Sequence, residues 1–374
     1  ASLVAEREVF ASTQALRATA LAFTRRYALA LLDLLADALY GVGRFLLPNN
    51  LEVTRTTTIE RPRASIFAMS HDLRIAREWS PYYARDPDAD YTFSGPVGAG
   101  QTMRWVSNVR AVGAGRISIV SSEENESIDS ILALGDRATL NSRFILRPVQ
   151  GGTAVSWAMS AQCAEGWINV PCRYMNLILR GRIEANLDAG LTRLKTLAEQ
   201  LPNVDFEGYE IHPVPVEPQD VIFVDVSIAT DEPTFADRAS AEADGLSALN
   251  SFIDSTGGAI TRPRTLVRVF PPENGAGGRY RFSVGYPYAG PAPLRLVGVR
   301  VGQTPGGAAL RVEFEGRRSQ IAHMYQRMDA YMQAHRIAPR PGAEAWEIVD
   351  LASVRDSGYP SDPIERTEIF FPID

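Results

Sequence analysis

The sequence predicts an α+β protein that consists of an N-terminal helix, a sheet-and-helix domain and a duplicated domain. Residues 1–50 contain no glycine or proline before Gly41, which is typical of a long helix. Residues 51–201 contain alternating apolar runs separated by Gly and Asn turns, and they end in a helical stripe. The rest repeats the order strand, helix, strand, strand, first over Val221–Tyr288 and again over Ala308–Ile373.

Composition limits the classes of function. The chain has 374 residues, which is too many for one ordinary core, and a net charge of −6 without a basic helix, which argues against nucleic-acid binding. Its four histidines are scattered along the sequence and argue against a histidine-rich metal site, so we expect no metal and no cofactor. No arrangement of Ser, His and Asp or of Cys and His indicates catalysis, and the sequence does not decide whether the protein is an enzyme.

The two cysteines, Cys163 and Cys172, leave two interpretations open. They are too far apart for a CxxC redox pair, and two thiols alone rarely hold zinc. Both could be buried free thiols. Alternatively, they form a local disulfide between a strand end and the following helix, which would imply an oxidising compartment.

The apolar segment Tyr27–Leu47 is about as long as a bilayer core requires. Asp33, Asp37 and Arg44 interrupt it on one face. Three interpretations compete: an amphipathic helix on a soluble core, an interfacial helix, or a transmembrane anchor whose polar stripe faces a partner helix. We favour the anchor because the segment stops at Pro48, just before a new domain. Localisation at the inner membrane, with the domains in the periplasm, is the corresponding expectation, although the flanking arginines do not fix the orientation.

The middle domain, residues 51–201, carries a specific combination of motifs. They are Val53–Ile59, Pro62, Ile66–Phe67, Trp79–Tyr82, Tyr91–Pro96, Gly98–Gly100, Trp105, Gly151–Thr153, Trp157–Met159 and Arg173–Met175. In this order they resemble the polyketide-cyclase-like branch of the START-type (SRPBCC) superfamily. The resemblance implies a helix-grip fold, in which a curved antiparallel sheet holds the last helix over an apolar cavity.

Six aromatic residues are candidates for the lining or mouth of that cavity: Trp79, Tyr82, Tyr91, Trp105, Trp157 and Trp167. The alternative for each is ordinary core packing, because tryptophan is mostly buried in any fold. Members of this superfamily more often bind than catalyse, so the fold implies no reaction.

Residues 202–220 contain four prolines and are predicted to be a stiff linker to the domain of residues 221–374. The motifs that follow are Gly302–Gln303, Gly306–Ala309, Phe314–Gly316, His335–Pro339, Trp346–Ile348 and Thr367–Ile373. They resemble GyrI-like effector-binding domains, which are drug-sensing modules. Paired repeats tend to leave a cleft at their junction, where a small ligand binds.

In the GyrI-like family, a glutamate on the penultimate strand points into the ligand cleft, and Glu347 matches it. The resemblance therefore implies a cationic aromatic guest, bound by the acid and by rings. The aromatic candidates are Trp346, Phe270, Tyr286 and Tyr288. Glu347 could instead be a solvated strand residue, and Glu368 is the rival acid.

Two departures from the family pattern leave the ligand open. The Gly-Pro-Tyr that family members often carry is Gly316-Arg317-Arg318 here, and a tyrosine common near Val349 is missing. We therefore expect a membrane-tethered protein that binds a small hydrophobic or cationic molecule without catalysing a reaction. The alternatives are an accessory subunit that contacts a membrane partner through its first helix, and a hydrolase that uses Glu347 as a general base.

Overall fold

The computed structural model describes residues 25–135, 138–166, 169–256, 264–271, 278–288, 298–358 and 362–374. In these ranges the protein is α+β, as the sequence predicts, with two antiparallel sheets. Helix α1 spans residues 25–45 and precedes both sheets.

A seven-stranded sheet forms the first domain, in the order β1-β7-β6-β5-β4-β3-β2. Its elements are β1 (Asn50–Ile59), α2 (Arg63–His71), α3 (Leu73–Ala76), β2 (Asp90–Ser94), β3 (Thr102–Val106), β4 (Ala114–Glu123), β5 (Ser127–Leu134), β6 (Ala138–Val149), β7 (Gly152–Gln162) and α4 (Val170–Ala198). The first strand closes on the last, so β1 and β7 pair along their whole length.

The sheet holds α4 in a helix-grip arrangement, as the SRPBCC resemblance implies. The sequence predicts an apolar stripe of Ile183, Leu187, Leu191, Leu194 and Leu197 on α4, because residues spaced by three and four share one helix face. The first four are buried and Leu197 is half-buried. A Cβ atom at Gly190 would lie 2.6 Å from the ring of Trp157, so only glycine permits this close approach of α4 to the sheet.

An eight-stranded sheet forms the second domain, in the order β12-β9-β11-β10-β14-β15-β13-β8. Its elements are β8 (His212–Val216), β9 (Asp220–Ile228), α5 (Phe235–Ser255), β10 (Thr265–Phe270), β11 (Tyr280–Pro287), β12 (Arg300–Gln303), β13 (Gly307–Arg317), α6 (Ile321–His335), β14 (Ala345–Arg355) and β15 (Ile364–Pro372).

The duplication read from the sequence appears as symmetry in this strand order. The first repeat contributes its strands as first, third, second (β9-β11-β10), and the second repeat as second, third, first (β14-β15-β13). A pseudo-twofold axis therefore lies between β10 and β14, which pair antiparallel over Thr265–Phe270 and Ala345–Asp350.

Two local predictions need correction. Part of the predicted linker, His212–Val216, is the edge strand β8 and pairs with β13. An edge strand tolerates Pro213 and Pro215 because one side of its backbone needs no donors. Helix α5 begins at Phe235 rather than at the predicted Gly245, since Thr234 and Asp237 form a capping box there.

The two domains share a hydrophobic cluster at the packed surfaces of α2 and α6. The ring of Phe206, just after α4, lies 5.5 Å from that of Tyr331 on α6. At the edge of the contact Arg336 and Glu78 form an ion pair of 2.9 Å. Helix α6 thus belongs to the second domain and also packs on the first.

Helix α1 exposes apolar side chains around most of its surface, including Leu34 at 70% and Phe45 at 80% exposure. It does not pack lengthwise on the domain core, and Asp33, Asp37 and Arg44 are exposed as well. Within the described ranges, no helix has both the length and the apolarity needed to cross a membrane. The transmembrane interpretation of Tyr27–Leu47 therefore gains no support.

Candidate functional site

A cavity of about 270 Å³ lies at the junction of the two repeats, between α5 and α6 and against the central strands β10 and β14. We call it the carboxy-terminal cavity. Its lining residues are Phe235, Arg238, Glu242, Arg268, Phe270, Pro271, Tyr280, Phe282, Arg318, Ser319, Ile321, Ala322, Tyr325 and Glu347. Both repeats contribute, as expected for a cleft on a pseudo-twofold axis.

A buried ion pair forms the floor of the carboxy-terminal cavity. Arg268 and Glu347 face each other in the register of β10 and β14. The Nη1 group of Arg268 donates to Oε2 of Glu347 at 3.0 Å, and the hydroxyl of Tyr325 donates to Oε1 at 3.0 Å. Arg268 is 3% exposed and Glu347 is 2% exposed. Glu347 is thus neutralised from within the protein, rather than left as an open charge among rings.

Two more buried carboxylates complete the network around Arg268. Glu365 on β15 accepts from both Nη groups of Arg268, at 2.7 and 3.1 Å, in a bidentate pair. Glu242 on α5 accepts from Nε of Arg268 at 3.1 Å and also from Arg318. One guanidinium therefore connects three secondary-structure elements that meet at the axis.

The charges of the network perturb the titration of its members. Burial alone would lower the pKa of Arg268, but Glu365 and Glu347 outweigh burial and raise this pKa further above its ordinary value. Burial would raise the pKa of Glu365, yet the charge of Arg268 and its hydrogen bonds lower it. Burial, followed by the charge of Glu347, raises the pKa of Tyr325 well above its usual value. Arg268 and Glu365 are thus held charged, and Tyr325 is a neutral donor to Glu347.

Four rings form a continuous wall beside this network. Phe270 lies 6.1 Å from Phe282 and 6.3 Å from Tyr325, measured between ring centroids. Tyr280 extends the wall at 6.1 Å from Phe282, and the guanidinium of Arg238 lies 5.9 Å from the Tyr280 ring. The wall offers apolar area for a flat guest, with a cation at one end and the Tyr325–Glu347 pair at the other.

The structure places two of the predicted site residues, Glu347 and Phe270, at this cavity. Trp346 stacks on Phe370 at 4.9 Å on the other side of the sheet, because neighbouring residues of a strand point to opposite faces. Tyr286 shares a strand face with Phe282 but lies four residues further along, where its hydroxyl is 3.4 Å from Asn250.

Two further candidates lie elsewhere. Tyr288 packs beside the cluster under α5, outside the cavity lining. Glu368, the rival acid, pairs with Arg311 at 2.8 Å. Of the two acids predicted from the sequence, Glu347 is therefore the one that lines the cavity.

The sequence reasoning missed Arg268, Glu242, Tyr325 and Glu365. Arg268 did leave a signal, because it is the one charge in the strand Thr265–Phe270 and an arginine within an apolar strand needs a buried partner. Glu242, Tyr325 and Glu365 left none that we can identify, since acids and tyrosines are ordinary on helix and strand surfaces.

A second cavity lies in the helix-grip domain and is much smaller, about 60 Å³. Five of the predicted aromatic residues line it: Trp79, Tyr82, Tyr91, Trp105 and Trp157. Trp79 lies 5.3 Å from Trp157, and Tyr82 lies 5.4 Å from Trp105, so the rings largely fill the space themselves. The sixth, Trp167, lies outside the described residues.

Cys163 and Cys172 are joined by a disulfide that links the end of β7 to the first turn of α4. The side-chain amide of Asn176 lies 3.2 Å from the sulfur of Cys163. Arg173, next to the disulfide, donates to the carbonyls of Arg44 and Leu47 at 2.8 and 2.9 Å. The disulfide therefore lies where α1 joins the domain.

No known family profile matches the chain, and no curated protein matches it. Solved structures that are similar include an uncharacterised protein from Rhizobium leguminosarum, with 16% identity, a TM-score of 0.29, and coverage of 40% of this chain and 95% of that one. Ara h 8.0201 is similar at 10% identity and a TM-score of 0.31, covering 40% and 99%. The Aha1 dimer from Colwellia psychrerythraea is similar at 15% identity and a TM-score of 0.29, covering 40% and 96%. The helix-grip description of the first domain rests on its strand order and on α4.

Proposed function

We propose that this protein binds a small aromatic molecule in the carboxy-terminal cavity and carries out no reaction on it. The observation that carries the proposal is the concave space of about 270 Å³ between the repeats, which is walled by rings and has a buried polar network as its floor. A concave, mainly apolar site with a few fixed polar groups is what small-molecule recognition requires. The resemblance to GyrI-like effector-binding domains supports the same location.

Binding is favoured over hydrolysis because the acid in the cavity is already engaged. A general base needs a free oxygen within reach of the proton that it removes. Both oxygens of Glu347 accept hydrogen bonds, one from Arg268 and one from Tyr325. Accepting a proton from a substrate would require Glu347 to give up one of these buried hydrogen bonds. A rigid, neutralised wall suits recognition better than proton transfer.

The carboxy-terminal cavity is favoured over the helix-grip cavity by volume. The space among Trp79, Trp105 and Trp157 is about 60 Å³, which is room for one or two water molecules. Opening it for a ligand would require the large rings to move, and close-packed interiors resist such movement.

Calorimetry with neutral 2-naphthamide tests the proposal. Ala322 lines the cavity on the exposed side of α6, so Ala322→Trp should fill the mouth and abolish binding. Ala243→Trp, at an exposed position of α5 away from the lining, is the matched control and should bind normally. Binding that persists in Ala322→Trp would refute the proposed site.

We propose in addition that α1 attaches the protein to the inner membrane, with the domains in the periplasm. The exposed leucines of this helix support the idea, because so much unpartnered apolar surface usually marks a contact. Sedimentation with phospholipid vesicles tests it: native protein should co-sediment, and the double variant Leu31→Gln, Leu35→Gln should remain in the supernatant. A stoichiometric protein partner after purification in mild detergent, without vesicle binding, would favour the accessory-subunit alternative.

A further inference from the structure

The hydrogen-bond acceptors around the carboxy-terminal cavity are already in use. Each oxygen of Glu242, Glu347 and Glu365 accepts from an arginine or from a tyrosine hydroxyl. A ligand ammonium would have to compete with these donors, and displacing them would leave buried groups unpaired. The floor of the cavity is therefore poorly suited to a cation.

Two guanidinium groups on the cavity wall have donors to spare. Among the residues that the structure describes, no carboxylate pairs with Arg238, which lies over the ring of Tyr280. Arg318 contacts Glu242 through one nitrogen of a group with five N–H donors. Burial lowers the pKa of Arg318, Glu365 and Glu347 raise it, and the like charge of Arg238 lowers it. Both guanidinium groups line the same cavity, so an anion bound there would be attracted by both.

The charges at the cavity leave no excess acid for a cationic guest. Arg238, Arg268 and Arg318 supply three positive charges, and Glu242, Glu347 and Glu365 supply three negative ones. A further buried carboxylate, Asp362, accepts hydrogen bonds from the backbone and hydroxyl of the cavity residue Ser319. These six charges sum to zero. The expectation of a cationic ligand had instead assumed a lone glutamate among rings.

We infer that the ligand of this cavity is an aromatic anion, whose carboxylate or similar acidic group binds Arg238 and Arg318 while its ring lies along the wall of Phe270, Phe282, Tyr280 and Tyr325. The inference rests on the proposed function and adds the chemical class of the ligand. A planar acidic group matches the fork of N–H donors on a guanidinium, which is why arginine recognises carboxylates well.

Three naphthalene probes of similar shape but different charge test the inference. They are anionic 2-naphthoate, neutral 2-naphthamide and 2-naphthylmethylamine, which is cationic at pH 7. Calorimetry should give naphthoate an affinity at least tenfold above the amide, and the amine an affinity below the amide. An amine that binds as tightly as naphthoate would overturn the inference while leaving the cavity as a binding site. Failure of all three probes would instead refute the proposed function.

Charge-removing variants test which residues cause the preference for naphthoate over naphthamide. Arg238→Gln should lower the ratio of naphthoate to naphthamide affinity about tenfold, because one of the two cations is lost. Arg264→Gln, at an exposed position outside the cavity lining, is the matched control and should leave the ratio unchanged. Glu347→Gln should not weaken naphthoate, since it removes a negative charge from the floor. An unchanged ratio in Arg238→Gln, or a marked loss of naphthoate in Glu347→Gln, would contradict the inference.

Discussion

At the scale of single residues, Arg268 determines the character of the site. Its strand is otherwise apolar, so the guanidinium could be buried there only with partners from other elements. Glu347, Glu365 and Glu242 come from β14, β15 and α5 respectively, and all three reach it. The arginine thereby ties the two repeats together at their axis and also neutralises the acid that the sequence had predicted as the cation site.

Removing this guanidinium should be strongly destabilising. Arg268→Met keeps a similar volume but leaves three buried carboxylates without their main partner, and breaking a buried ion pair in this way costs about 3–5 kcal/mol. Urea unfolding at pH 7 measures the loss. Arg264→Met, an exposed neighbour at the start of the same strand, should change stability by less than about 0.5 kcal/mol. Equal effects of the two substitutions would show that the network does not stabilise the fold.

The pH dependence of the same variant has a defined sign. In the native protein the folded-state pKa of Glu365 is depressed, so its contribution is present above the unfolded-state pKa and is lost as pH falls through the folded-state pKa. Without Arg268 the buried acids should have raised folded-state pKa values, and protonation should then stabilise the folded state. The difference in the free energy of unfolding between Arg268→Met and native protein should therefore shrink from pH 7 to pH 5. A difference that grows over this range would contradict the conclusion that Arg268 keeps Glu365 charged.

The sequence identified Glu347 as a cavity residue but did not identify its ion-pair partner Arg268. Glu347 could be found through a resemblance that places an acid on the penultimate strand. Its partner could not, because the register of β10 against β14 is a long-range property and the strand Thr265–Phe270 alone does not show which face meets which neighbour. For the same reason Trp346 was assigned to the cavity, although it lies on the opposite face.

At the scale of elements, the joint between α1 and α4 is the most constrained contact outside the two domains. Arg173 is 9% exposed and donates to backbone carbonyls at the end of α1, which lack helical partners there. Tyr174 donates to the carbonyl of Leu39 at 2.8 Å. Gly43 lies against Val170 and Tyr174, where a Cβ would collide with both side chains. One end of α1 is thus fixed while its apolar surface stays exposed.

Loss of the Arg173 contacts should release α1 locally. Arg173→Met removes charged hydrogen bonds worth about 1.5–3 kcal/mol each at most, so amides in residues 25–45 should exchange with solvent at least tenfold faster. Hydrogen–deuterium exchange measures this. Arg182→Met, at an exposed site of α4, is the control and should leave α1 unchanged. Protection of α1 that survives in Arg173→Met would mean that other contacts hold the helix.

The disulfide provides a test of compartment at the same joint. If the domains lie in the periplasm, the cysteines should be oxidised in protein isolated from its native source. After unfolding without reductant, that protein should show no reactive thiol. Reduction should then lower stability by about 2–3 kcal/mol, as expected for a loop closed over a sequence separation of nine residues. Two reactive thiols in the unreduced protein would argue against an oxidising compartment and for simple burial.

Element positions were predicted better than element ends. The helical stripe of α4 and most strands of the two sheets followed from periodicity, because burial enforces it, whereas the short strand β12 was not predicted. The edge strand His212–Val216 was taken as a linker since its alternating prolines exclude a central strand but not an edge. The first ten residues of α5 were missed because Thr234 and Asp237, which begin it, precede the apolar part of the helix by several positions.

At the scale of the whole molecule, α6 is the helix that contacts both domains. Its first turn lines the carboxy-terminal cavity, and its buried face shares a hydrophobic cluster with the helix-grip domain. The sequence predicted each domain and the symmetric pairing of the repeats, since both are internal to a segment. It did not predict the contact between the two domains, because a helix face at a domain interface has the same apolar pattern as a face in a core.

This shared cluster predicts cooperative unfolding. Tyr331 and Met332 on α6 pack in the same cluster as Ile66 and Met69 on α2, so unfolding of either domain would expose apolar surface that the other domain buries. In a Trp346→Phe background the remaining tryptophans all belong to the helix-grip domain, so their fluorescence and far-UV circular dichroism should give coincident urea transitions. Tyr331→Asp should separate them by weakening the contact. Two resolved transitions in the native protein would show that the domains are energetically independent.

Mapping of ligand-induced protection by hydrogen–deuterium exchange tests most directly that the ligand binds between the repeats. With saturating 2-naphthoate, the predicted result is slower exchange in the first turns of α5 and α6 and in Thr265–Phe270, with no change over residues 79–105 of the helix-grip domain. Protection confined to residues 79–105, with none at α5 and α6, would contradict the assignment and place binding in the other domain.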